Sequence, residues 1–244
     1  MEWFADEDFW RELYPIMFGP VRFESAARQI TQILELTCFS GMRVLDLCCG
    51  PGRHSVPFAK RGMKVTGVDL SQFLLDRARE QTPEGVNVEW IRADMRHFRR
   101  PAAFDLACSL WTSFGYFQDE EEDLEVLRNI RESLVSGGIF VMGLLGKERI
   151  ARIMQSSFCD ALDDGTMLLQ RPVVCADWTR IREERILIKG GSARSFTIEF
   201  TIYSGRELKD RLREAGFREI TLYGDLDGRP YDLNANRLVA VART

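Results

Sequence analysis

"RVLDLCCGPGRHSV", residues 43–56, runs a short apolar stretch into Asp46, then a turn holding Gly50 and Gly52, then the start of a helix. An apolar run that stops at glycines reads as a buried strand entering a turn. Glycines there let a ligand approach the backbone with no Cβ in the way. The N–H groups at the following helix start favour a polar or anionic ligand group. The cysteine pair, Cys48 and Cys49, raises a second reading, a thiol or metal site. Adjacent cysteines do not readily chelate one ion, and neither of the chain's two histidines completes a ligand set with them, so no metal is expected. A reactive thiol stays open, because Cys49 lies near a helix N-terminus.

Outward from this loop, strand and helix alternate. "KVTGVDL" (64–70) is a second strand, and "SQFLLDRAREQ" (71–81) a helix capped by Ser71. "VNVEWIRAD" (86–94) and "FDLACSL" (104–110) are further strands. The acidic helix "DEEEDLEVLRNIRESL" (119–134) leads to a fifth, "GGIFVMGLL" (137–145). Short apolar strands separated by helices predict an α/β, doubly wound, mostly parallel sheet, seven-stranded once the chain's last two strands join it. Residues 1–36 read as a helical segment, with Ala27, Ile30, Ile33 and Leu34 at helical spacing. Residues 37–157 form the core. Residues 158–203, rich in β-branched residues and turning at "KGGSAR", form a small antiparallel β insert. Residues 204–244 supply a last helix, boxed by Ser204 and Glu207 and ended at Gly216, and a hairpin completing the core sheet.

Composition narrows the function. The 244 residues carry a net charge of −4, which argues against a nucleic-acid partner. No apolar run approaches the roughly 18 residues of a membrane helix, so no membrane partner is expected. Six irregularly spaced cysteines fit no disulfide scaffold. A reduced, cytoplasmic protein is the expectation. The oligomeric state is not readable.

The glycine loop fits a nucleotide-type site at the sheet's switch point. A dinucleotide fingerprint needs a third glycine where Ser55 stands. Asp69, ending the second strand, is placed to accept from both ribose hydroxyls, and Asp94, ending the third, from an adenine amino group. With these motifs, "VLDLCCGPG", "VTGVDLS", "RADMRHF" and "FDLACSLWTSFGYF", the chain resembles the class I S-adenosylmethionine-dependent methyltransferases. Within that class it is most similar to the small-molecule enzymes, the amino-sugar N,N-dimethyltransferases and glycine N-methyltransferases.

The resemblance implies S-adenosylmethionine as cofactor, S-adenosylhomocysteine as product, and N- or O-methylation of a small-molecule acceptor. It implies a cofactor site of Asp46, Cys48, Gly50, Gly52, Asp69, Leu70, Asp94, Met95 and Leu110, with Asp46 orienting the loop and Leu70 and Met95 covering the adenine. The family usually has glycine or alanine where this chain has Cys48. It further implies that the aromatic N-terminus, where seven of the first 23 residues are Phe, Trp or Tyr, closes over the cofactor as a lid. Trp10, Tyr14 and Phe18 would share one helix face and attract the sulfonium charge. Tyr116, Arg182 and Tyr231 are candidates for the acceptor wall. No catalytic residue is named, since methyl transfer needs chiefly alignment. Two alternatives stay open: a protein that binds S-adenosylmethionine without transferring the methyl, and a nicotinamide-dependent oxidoreductase, although no Tyr-x-x-x-Lys pair is present.

Overall fold

The computed structural model describes residues 2–244, so the first residue of the N-terminal segment lies outside it. The strands in chain order are β1 Arg43–Leu47, β2 Lys64–Asp69, β3 Val88–Arg92, β4 Phe104–Ser109, β5 Leu134–Leu144, β6 Phe158–Ala161, β7 Met167–Cys175, β8 Arg180–Lys189, β9 Ser192–Thr201, β10 Arg218–Tyr223 and β11 Leu238–Arg243. Helices α1 Glu7–Met17 and α2 Pro20–Thr37 precede the sheet. They are followed by α3 Ser55–Ala59, α4 Gln72–Gln81, α5 Glu120–Ser133, α6 Lys147–Ile153 and α7 Gly205–Glu214.

Seven strands form one sheet in the order β10-β11-β5-β4-β1-β2-β3. β1 to β5 are parallel, and β11 runs antiparallel to both β5 and β10. Helices cover both faces, which is why β1, β4 and β5 read as nearly unbroken apolar runs. From β1 the chain winds outward through β2 and β3, then returns to β4 on the other side of β1. That reversal opens a crevice at the carboxyl ends of β1 and β4. The second sheet, β6-β7-β8-β9, is wholly antiparallel.

The N-terminal segment is helical as expected, a 3-10 turn at Trp3–Ala5 followed by two α-helices. Asp6 caps α1 by accepting from the N–H groups of Asp8 and Phe9, and the helix stops before Phe18 and Gly19. Pro20 then starts α2, at the position where its missing N–H costs nothing. The buried stripe of α2 runs through Ala26, Ile30 and Ile33, while Ala27 is exposed. The expected spacing was therefore misplaced at its first residue, because Ala27 lies about 100° around the helix from Ala26.

Several contacts tie the insert to the rest of the chain. Thr201 N donates to the Gly115 carbonyl at 2.6 Å, and Trp3 Nε1 donates to the Glu199 carbonyl at 2.9 Å. Gly115 has φ +91°, and a Cβ there would collide with the Thr201 carbonyl oxygen. Among the described residues no helix is long and apolar enough to cross a membrane.

Candidate active site

A cavity of about 1020 Å³ opens at the carboxyl ends of β1, β2 and β4. Its floor is the glycine loop, where Cys48 (φ +58°), Gly50 (φ +54°) and Gly52 (φ +75°) all take left-handed backbone. That conformation is free to glycine and costs a side chain roughly 1–2 kcal/mol. A glycine at the position of Cys48 therefore has a conformational reason, and the cysteine carries some strain. Gly50 faces the cavity, and a Cβ there would lie 3.5 Å from the Phe18 ring. Gly52 does not line the cavity. A Cβ on it would sit 2.5 Å from the Trp90 ring and 3.1 Å from Ala78, so its service is close packing of the loop, not access to a ligand.

Asp69 and Asp46 hold this loop. Asp69 Oδ2 accepts from Gly50 N at 2.8 Å and Oδ1 from Ser71 N at 3.0 Å, joining the loop to the start of α4. The same helix start is capped from the N-terminal segment: Glu7 accepts from Ser71 Oγ at 2.6 Å and from Gln72 N at 2.7 Å. Asp46 Oδ2 accepts from Ser55 Oγ at 2.5 Å, so the serine in place of a third glycine anchors the first turn of α3. Burial raises both carboxyls to about 6, against the lowering effect of these donors. Asp94 behaves differently. Burial pushes its pKa up, but Arg96 reaches it through the backbone N–H, Nε and Nη2 (2.6–3.1 Å) and holds it below the usual carboxylate range. Arg96 is itself fixed by Glu2 and Glu122 and lies over the Phe117 ring at 4.6 Å.

The thiols are not activated. Burial pushes Cys48 and Cys49 well above the ordinary thiol range, and nearby Asp69 and Asp46 add to it. With α3 only five residues long, the reading of Cys49 as a reactive thiol fails. Cys48 packs its sulfur 3.4 Å from that of Met95.

Leu70, Asp94, Met95, Leu110 and Tyr116 line the cavity with Asp46, Cys48, Gly50 and Asp69. Phe4, Trp10, Met17 and Phe18 roof it. Tyr14 does not join them. Its ring packs on Phe73 and Phe18, and its hydroxyl accepts from Gln81 Nε2 at 2.6 Å on the outer side of α1. Arg182 is 64% exposed on β8 and pairs with Glu199 at 3.0 Å, away from the cavity. Tyr231 donates to Glu148 Oε2 at 2.6 Å and seats against Gly146 and Gly205, between α6 and α7. Neither forms part of the cavity wall.

Residues outside the expected cofactor site complete the far end. Trp111 has φ +67° and lies just beyond Leu110. Arg53, Arg22 and His54 face the same space. His54 Nε2 lies 3.2 Å from Trp111 Nε1 and 2.8 Å from the Gln29 side-chain oxygen. Burial, with the charges of Arg53 and Arg237, pushes His54 well below its usual range, so the ring is neutral.

Residues 44–138 match the family model of a methyltransferase domain. The dTDP-3-amino-3,4,6-trideoxy-alpha-D-glucopyranose N,N-dimethyltransferase of Streptomyces venezuelae is 28% identical over 49% of this chain and 49% of its own, so the chain matches about half that relative's length. The glycine/sarcosine N-methyltransferase of Aphanothece halophytica is 29% identical over 75% of this chain and 69% of its own. In fold, an S-adenosylmethionine-dependent methyltransferase from Clostridium acetobutylicum superposes with a TM-score of 0.81, at 14% identity, over 97% of each chain. Residues 44–138 thus match the model of a methyltransferase domain, and the chain as a whole shares the fold of that Clostridium acetobutylicum enzyme.

Proposed function

We propose that the protein methylates a nitrogen or oxygen of a small-molecule acceptor, with S-adenosylmethionine as donor. The observation that carries this reading is the cavity itself. It sets a loop without a Cβ at Gly50 between two strand-end carboxylates, Asp69 and Asp94, under an apolar roof. Small-molecule acceptors in the relatives named above support the acceptor class.

The residues present fit the cofactor. A carboxylate offers about four acceptor positions, and Asp69 spends two of them on Gly50 and Ser71. The other two are left for ribose hydroxyls. Asp94, Leu70 and Met95 would hold the adenine end, and Asp46 and Leu110 the methionine end. When bound, S-adenosylmethionine supplies a methyl group activated by its sulfonium charge. This chain's part is to align and to exclude water. Alignment is worth on the order of 7–11 kcal/mol in favourable cases. Trp10 and Phe18 form part of the roof, where aromatic side chains would favour a cationic centre. The N-terminal segment serves as that cover, and the β insert braces the wall through Thr201 without lining it.

No general base is required of the protein when the acceptor arrives as a neutral amine. His54 is neutral, its Nε2 accepting from Trp111 Nε1 and lying 2.8 Å from the Gln29 side chain, and Asp46 is committed to Ser55. Neither the nicotinamide reading nor binding without transfer gains support from the comparisons.

Calorimetry with S-adenosylhomocysteine and NAD, followed by a screen of small amines and alcohols for methylated product, tests the reading. S-adenosylhomocysteine should bind tighter. NAD binding more tightly would overturn it.

A further inference from the structure

Most arginines of this chain are paired. Arg96 meets three carboxylates, Arg180 and Arg182 share Glu199, and Arg229 holds Asp227. Around Trp111 that pattern breaks. Arg22 from α2, Arg53 from the glycine loop, Arg149 from α6 and Arg237 before β11 converge there, and among the described residues none has a carboxylate within 4.0 Å. The Trp111 ring is stacked between two of them, with Arg53 Cζ at 4.3 Å and Arg237 Cζ at 3.3 Å from its centroid. Arg53 is only 7% exposed, and its one hydrogen bond is a long one, 3.5 Å to the Arg22 carbonyl. Arg149 Nε and Nη1 are buried with no partner.

Buried charged donors without acceptors are costly, and like charges gathered together add to the cost. Charges held this way are what an anion site looks like before its anion arrives. Nearby acids do not fill the role. Asp225 accepts from Leu226 N at 2.9 Å and Asn236 Nδ2 at 3.3 Å, and Asp227 is taken by Arg229. Like-charge neighbours also depress the guanidinium pKa values: burial first, then Arg22 and Arg237, brings Arg53 to about 9, and burial brings Arg237 to about 10, with Asp225 opposing.

The location gives the cluster a purpose. Trp111 lines the main cavity on one side and, on the other, a second cavity of about 830 Å³ walled by Gln29, Arg149, Asp225 and Arg237. We propose that Arg149 and Arg237, which share the second cavity on the side of Trp111 away from Arg53, bind an acid group of the acceptor, a carboxylate or a phosphate. The acceptor's nucleophile then points back past Leu110 toward the methyl donor. Planar guanidinium forks suit both anions. The inference rests on the methyl-transfer reading and narrows its acceptor to an anionic small molecule. The shared chemistry has a second source, the carboxylate of the methyl donor itself, and the test separates the two.

Thermal melts and calorimetry on S-adenosylhomocysteine-saturated protein, with inorganic phosphate and acetate as probes and chloride holding ionic strength constant, make that test. At least one probe should bind the saturated wild type. Arg149→Gln and Arg237→Gln should each weaken it about tenfold, as expected for one charge-assisted contact. In the same variants S-adenosylhomocysteine affinity should change less than about twofold. No binding of either probe to the saturated wild type would overturn the proposal, whether or not the variants fold. So would a tenfold loss of S-adenosylhomocysteine affinity in the variants, which would assign the arginines to the donor's own carboxylate. Failure of the wild type to bind S-adenosylhomocysteine at all would instead defeat the methyl-transfer reading.

Discussion

Replacing Asp69 by alanine removes a carboxylate that faces two ways. Toward the protein it accepts from Gly50 and Ser71; toward the cavity it has about two acceptor positions left. Losing those positions should cost about 1.5–3 kcal/mol of S-adenosylhomocysteine binding, or roughly 10- to 150-fold in affinity. The pH dependence sharpens the test. Burial raises Asp69 to about 6. Hydroxyl donors favour the ionised form, so ligand binding lowers this pKa, and the free protein must first release a proton when the pH is below 6. Wild-type affinity should therefore be level above about pH 7 and about 11-fold weaker at pH 5 from Asp69 alone. Asp46, also raised to about 6, steepens the fall, and Asp69→Ala should keep only that share. Asp69→Asn should rescue little. Its single oxygen satisfies one of the two backbone donors, and its NH2 group faces the other. Calorimetry from pH 5 to 8 on wild type and both variants, with melting temperatures as control, measures all of this. A folded Asp69→Ala protein with unchanged affinity, or a wild-type affinity flat across that range, would refute the reasoning.

Leu13 is fully buried while Phe18 faces the cavity, so the two should separate stability from turnover. Leu13→Ala should cost about 2–5 kcal/mol in denaturant melts, whereas Phe18→Ala should lower kcat/KM with a small change in Tm. Arg182→Ala and Tyr231→Phe lie outside the cavity and should leave kcat/KM within about twofold of wild type once an acceptor is in hand. Asp123 is fully buried beside the Tyr203 hydroxyl, 2.6 Å away, and burial raises its pKa to about 6. Because the unfolded chain ionises first, this group lowers stability as pH climbs from about 4 to 6, by on the order of 3 kcal/mol. Wild type should lose that much relative to Asp123→Asn across the window in paired urea melts. Parallel curves would show that the carboxyl is not held neutral.

The alternation of apolar runs and helices was enough to read a doubly wound, mostly parallel sheet, because a parallel strand buried on both faces leaves no polar alternation. Asp46, Asp69 and Asp94 drew notice for a related reason: each stands at or near the carboxyl end of its strand, and the structure brings all three to one cavity. Tyr14 was not. Trp10, Tyr14 and Phe18 are spaced for one helix face, but α1 ends at Met17, and Phe18, with φ −126°, swings over Gly50 while Tyr14 stays against Phe73. Arg182 depended on register. It pairs opposite Glu199 on the exposed side of the insert, and pairing across a hairpin fixes a face that composition leaves undetermined. Trp111 was hidden for a backbone reason. A left-handed tryptophan is rare, so no propensity points to it.

The link between Gly115 and Thr201, one residue from Tyr116, also orders events in time. The sheet around β1, β2 and β4 closes over modest chain separations, but the roof also has a partner far along the chain: Trp3 bonds Glu199 across 196 residues. Closing such a loop is entropically expensive until both ends have ordered surfaces to meet. Glu7 and Tyr14 already seat the first helix on α4, so the insert adds a long-range brace to a roof that the core has begun to hold.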